Sequence, residues 1–147
     1  MIESCNFCNI VLRKNIASIV YEDARVLAFM DLHPANIGHT LVVPREHWET
    51  IYDVPEKVLA DLFPVVKKIS VAVKKAVNAD GISILQFNEG AAGQSVRHFH
   101  VHVIPRFRGD AMSKFVGAML GHAGFEKAER QDLDEIAKKI KENLGEN

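Results

Sequence analysis

The sequence predicts an α+β fold: about five strands in a mostly antiparallel sheet, one long helix packed on it, a short N-terminal helix and a C-terminal helix. Three observations carry this prediction. Short β-rich runs bounded by turn residues occur on both sides of a long segment in which apolar residues recur every three to four positions. The last of those runs, His98 to Ile104, alternates strictly between histidine and apolar residues. Finally, 147 residues with 48% hydrophobic content and a net charge of -1 suit one soluble domain with a real core, taken here as 1–147 with its motifs in 5–106.

In order, residues 6 to 14 read as a short helix with Phe7, Ile10 and Val11 on one side. Ile19 to Tyr21 and Val26 to Met30 read as a hairpin about the turn-like Glu22-Asp23-Ala24-Arg25. Leu32 to Gly38, with Pro34, Asn36 and Gly38, is loop, and His39 to Val43 is a strand stopped by Pro44. Pro55 opens the long helix, whose apolar stripe from Val58 to Val77 stays in phase through Asn78 despite Pro64, so a kink or split is expected there. Ile82 to Asn88 reads as a strand and Glu89 to Val96 as a glycine-bearing loop. His98 to Ile104 returns as the antiparallel neighbour. Residues 107 to 125 read as irregular, and Leu133, Ile136, Ala137, Ile140 and Leu144 define a last amphipathic helix over 130–144, stopped by Gly145.

Lysine and arginine are scattered, which argues against a nucleic-acid backbone binder. There is no apolar signal core at the N-terminus and no stretch long enough to span a membrane, so a cytoplasmic location is expected. In that reducing compartment Cys5 and Cys8 read as metal ligands or a redox pair before a structural disulfide. A thioredoxin-like pair would lie between a strand and a helix, which this N-terminus does not offer.

In an extended strand His98, His100 and His102 point to one face, about 6 to 7 Å apart, with Phe99, Val101 and Val103 on the other. Three imidazoles in a row make a poor core face and a good site for metal or phosphorus chemistry. A neutral imidazole is a competent nucleophile near neutral pH, and the central ring, His100, has a histidine on both sides. Upstream, Asn88 to Ser95 supplies glycines that allow close backbone approach to an anion, with donors from Asn88, Gln94 and Ser95. A cupin-like metal centre built from the triad would want a glutamate shortly after the His-x-His pair, and residues 103–107 hold none.

His98-Phe99-His100-Val101-His102-Val103-Ile104 resembles the signature of the histidine triad (HIT) nucleotide-binding family, and two further blocks extend the likeness. Asn88-x-Gly90-x-x-Gly93-Gln94-Ser95-Val96 resembles its phosphate loop. Asp31-x-x-Pro34-x-x-x-Gly38-His39-x-Leu41-Val42-x-Pro44 resembles its first block. The resemblance implies that His100 is the nucleophile, His102 serves the leaving-group side and His39 supports the triad. It implies that Asp31 accepts hydrogen bonds from the ribose hydroxyls, that Asn88, Gly93, Gln94 and Ser95 hold the phosphate, and that Phe7, Ile10, Phe29 and Leu32 form the base pocket.

Cys5-x-x-Cys8 has the spacing of half a tetrahedral zinc site. The family branch with this N-terminal pair, the zinc-containing HINT-like branch, implies that His47 and His98 complete a structural zinc. His33 and His122 match no motif position and read as loop or surface residues. The resemblance further implies a homodimer and hydrolysis of a purine nucleotide conjugate, such as a nucleoside 5′-phosphoramidate, through a nucleotidyl-histidine. A dinucleoside polyphosphate hydrolase and a non-enzymatic nucleotide-binding adaptor are the alternatives.

Overall fold

The structure, a computed structural model, describes residues 1–110 and 126–145. The first helix, α1 (Asn6–Val11), begins where the Cys5 sulfur accepts the Cys8 N–H. It is shorter than the sequence suggests. The N–H groups of Lys14 and Asn15 both turn back to the Asn9 carbonyl, and Arg13 takes φ +61°, so the chain leaves the helix after Val11.

Strands β1 (Ile19–Glu22) and β2 (Val26–Met30) form the expected hairpin, held at its turn by Asp23, whose Oδ1 accepts the N–H groups of Arg25 and Val26. After β3 (Thr40–Pro44) comes α2 (Glu56–Ala76), then β4 (Gly81–Leu85), β5 (Val101–Arg106) and α3 (Arg130–Leu144). The strands lie in the order β1-β2-β3-β5-β4, and every pairing is antiparallel. The α+β expectation therefore holds.

Two strand boundaries move, and one helix stays whole. The strand expected over 82–88 ends at Leu85, because beyond it the side-chain amides of Gln86 and Asn88 hydrogen-bond each other. The strand expected over 98–104 joins the sheet only at Val101, since the Phe99 N–H is taken by the Trp48 carbonyl. The helix expected to kink or split at Pro64 runs on as one element, with Leu62, Val65, Val66, Ile69 and Val73 buried on either side of the proline. The irregular stretch 107–125 falls within the description only as far as the turn at Phe107–Asp110; the remainder, with His122, lies outside the described residues.

The two sheet faces divide the work. Val26, Ala28, Met30, Val42, Val101 and Val103 face α2, and Leu133, Ala137 and Ile140 of α3 join the same core. Leu27, Phe29, Leu41 and Val43 face the other way, onto Phe7 and Ile10 of α1. Register sets what shares that second face: Phe29 lies opposite Leu41, and Leu41 opposite His102. One row across three strands thus runs from an apolar wall to His102.

Candidate active site and metal centre

The alternation of residues 98–103 survives although His98, Phe99 and His100 precede the strand. Phe99 is fully buried against the helices, while the His100 and His102 rings lie together at 4.9 Å between centroids. All three histidines of the motif, and His39, are buried.

Their hydrogen bonds fix which nitrogen carries each proton. His100 Nδ1 lies 2.6 Å from the His98 carbonyl oxygen. A carbonyl only accepts, so Nδ1 is protonated and the ring lone pair sits on Nε2. His39 Nδ1 accepts the backbone N–H of Ala35 at 3.0 Å, so His39 carries its proton on Nε2 and donates it to His102 Nδ1 at 2.9 Å. His102 is left with its proton on Nε2. Asp31 backs this pair, its Oδ2 3.5 Å from His39 Nε2 and its Oδ1 accepting the His33 N–H at 2.9 Å. Asp31, His39 and His102 also lie close enough to suggest metal ligation, but the backbone donor on His39 Nδ1 leaves a proton, not a lone pair, on the inward nitrogen. The group is built as a hydrogen-bond relay.

Beside the triad lies a cleft of about 580 Å³ lined by Phe7, Ile10, Phe29, Asp31 and Leu32, together with His33, Leu41 and Arg130. Its size suits a nucleoside. Phe7 stands edge-on to both Phe29 and His100, at 5.2 and 5.1 Å between centroids, joining the apolar pocket to the central histidine. The four base-pocket residues expected from the sequence, and Asp31, expected at the ribose, are thus brought together.

The phosphate-loop candidates are arranged differently. Gly93 has φ +99°, the left-handed conformation glycine alone adopts at little cost, and Gln94 reaches back to accept the Glu89 N–H while donating to the carbonyls of Glu49 and Val96. Asn88 accepts the Ile51 N–H and pairs with Gln86. These two amides hold the loop in shape. Ser95 is exposed and lines an adjoining cleft with Cys5, His47 and Arg97, apart from the nucleoside cleft.

Three residues near the site carry no sequence signal that singles them out. Phe87 packs its ring on His102 at 5.4 Å; it follows β4 in an apolar run and looks like any strand residue. Arg130 arrives from beyond the irregular segment. Trp48 packs on the core and also supplies the carbonyl that holds Phe99.

Cys5, Cys8, His47 and His98 converge, with all four ligand atoms within 4.8 Å of one another. Cys8 Sγ is 3.3 Å from His47 Nδ1 and 3.7 Å from His98 Nδ1, and Cys5 Sγ is 3.6 Å from His98 Nδ1. A tetrahedral zinc with ordinary Zn–S and Zn–N bonds separates sulfur from nitrogen by about 3.6 Å. The donor set fits in tautomer too: His98 Nε2–H donates to the Pro44 carbonyl at 2.8 Å, which turns the Nδ1 lone pair toward the sulfurs. Burial pushes the His98 pKa down to about 4 and pushes the Cys5 thiol up.

A five-stranded antiparallel sheet with a histidine relay against a nucleoside-sized cleft defines the class. A model of the HIT domain matches residues 13–109, and the chain belongs to that family. It is 42% identical over 137 residues to a HIT-like protein of Methanocaldococcus jannaschii, covering 93% of this chain and 98% of that one. It is 32% identical over 145 residues to an adenosine 5′-monophosphoramidase of Candida albicans, covering 96% and 91%. Among solved structures, a zinc-bound histidine triad family protein of Mycobacterium smegmatis superposes with a TM-score of 0.80 at 32% identity, covering 96% and 93%.

Proposed function

We propose that the chain is a nucleotidyl hydrolase or transferase that cleaves purine nucleoside 5′-phosphoramidates or related conjugates through a nucleotidyl-histidine on His100. One observation carries this reading: the Nδ1–H of His100 is anchored on the His98 carbonyl, so the nucleophilic lone pair is fixed on Nε2 of a ring packed against the cleft residue Phe7. The monophosphoramidase name of the Candida albicans relative supports the substrate class.

In the first step His100 Nε2 bonds to phosphorus and the P–N bond breaks, the nitrogen leaving as the neutral amine with a proton drawn from solvent, while His102 Nε2–H donates a hydrogen bond to the leaving group. The His100 ring becomes cationic as it is nucleotidylated. In the second step water attacks phosphorus, the P–Nε2 bond breaks to restore the neutral His100 ring, and the water's proton passes to solvent. His39, held by Ala35 and Asp31, keeps His102 in the orientation both steps need. Asp31, an acceptor, suits the ribose hydroxyls. Asn88 and Gln94 shape the phosphate loop, so its backbone around Gly93 supplies the anion donors, while Ser95 faces the adjoining cleft.

Zinc on Cys5, Cys8, His47 and His98 is structural in this reading: four protein ligands close the coordination sphere and leave no position for water. It ties α1 to the residue whose carbonyl orients the nucleophile. Two thiol ligands suit a reducing, cytoplasmic compartment, and the active form is a homodimer.

The test is turnover of an adenosine 5′-phosphoramidate by the wild-type chain and by His100→Ala, with a diadenosine polyphosphate alongside. The expected result is cleavage of the phosphoramidate and a loss of at least about a hundredfold in the variant. Faster cleavage of the polyphosphate would move the assignment to that substrate class. Nucleotide binding without cleavage of either compound would favour an adaptor.

A further inference from the structure

The nucleoside cleft draws on both sides of the residues matched to the family: Phe7 and Ile10 precede them, and a second wall follows them. The Ala128 N–H donates to the Leu32 carbonyl at 3.0 Å, which lays the chain leading into α3 along the cleft, and Arg130 lines it. The Arg130 guanidinium is fixed in place. Its Nη1 donates to Ser18 Oγ at 2.8 Å, and that hydroxyl, 3% exposed as a residue, donates onward to Asp134 Oδ1 at 2.6 Å.

A guanidinium offers five N–H donors in a planar fork and no acceptor, and Ser18 occupies one of them. The neighbouring rim amides, Asn6 and Asn15, are engaged with each other at 2.7 Å. The walls, Phe7, Ile10, Phe29 and Leu32, touch any purine alike and discriminate weakly. Lys14 and His33 also line the cleft, but among the described residues there Arg130 alone offers a planar fork of donors, and its anchor suits that fork to select the base.

We infer that Arg130 reads the purine bound in this cleft and selects 6-oxopurines, guanine and hypoxanthine, over adenine; the inference rests on the nucleotide reading above. Two parallel N–H groups match two adjacent acceptors, which guanine and hypoxanthine present as O6 and N7. Adenine presents N7 beside an amino group, which sets donor against donor.

The experiment is calorimetric binding of GMP, IMP and AMP to the full chain, to Arg130→Lys and to Arg130→Gln. In the wild type GMP and IMP should bind alike and at least about tenfold tighter than AMP. Arg130→Lys keeps the charge and a donor for Ser18 but has no fork, so the preference should shrink with AMP affinity unchanged. Arg130→Gln, whose amide both donates and accepts, should move the preference toward AMP. A residue that merely braced the fold would shift all three nucleotides together. Equal binding of the three by the wild type, or an unchanged ratio in both variants, overturns the inference and leaves the nucleotide site standing. Binding of none overturns both.

Discussion

His98 works twice: its carbonyl sets the tautomer of His100, and its ring points the other way into the cysteine pair. Stripped of metal, that ring is a buried neutral imidazole with its pKa pushed down to about 4. Between about pH 6.5 and 4 the unfolded chain takes up a proton there and the folded chain does not, so stability rises with pH across that window. Chelated protein is expected to lose about 3 kcal/mol on going from pH 7 to pH 4 through this group alone, readable as urea midpoints over a pH series. A flat profile would show that the ring is not buried neutral. Elemental analysis of unchelated protein should find close to one zinc per chain. The three histidines were legible in the sequence because period two marks them, whereas Cys5-x-x-Cys8 announced only half a metal site and His47 and His98 came from the family resemblance. The proton positions of the triad were not legible, because those depend on the His98 carbonyl and the Ala35 N–H, partners fixed by the backbone path.

Gly38, in the loop that delivers His39 to the site, shows how an element boundary positions chemistry. It sits at φ +92°, and a Cβ there would meet Val77 Cγ1 at 3.0 Å and Pro105 Cγ at 3.3 Å, side chains flanking α2 and within β5. Gly38→Ala is therefore expected to lower stability by about 1–3 kcal/mol and to reduce turnover by displacing His39, measured by thermal unfolding and kcat together. Unchanged values in both would mean the loop relaxes without moving the relay. The hairpin, the long helix and α3 were readable because each shows a clear period, whereas β4 and β5 were misplaced at their ends. There the hydrogen bonds go to the Trp48 carbonyl and to paired side-chain amides, which no local pattern announces. Ile140→Ala in α3 should cost about 2–5 kcal/mol, as expected of a fully buried residue in the shared core.

At the scale of the molecule, β4 is one of the two outer strands, with Ile84 48% exposed, and α2 exposes Phe63 and Val71. An apolar edge of this kind is covered in the homodimer proposed here. Sedimentation should give about twice 16.4 kDa, and Ile84→Asp should bring it to the monomer mass while the fold persists. At the start of the C-terminal extension, Arg106 and Asp110 form a two-pronged ion pair that Asn36 also joins, fastening the extension to the loop before His39. The triad, the relay through His102 and the cleft wall at Phe7 all adjoin the His100 ring. Mass spectrometry of the chain quenched during turnover of an adenosine 5′-phosphoramidate tests that convergence most directly. The account predicts a nucleoside monophosphate adduct on the peptide containing His100, absent from His100→Ala; steady turnover with no adduct, or an adduct on another residue, would contradict it.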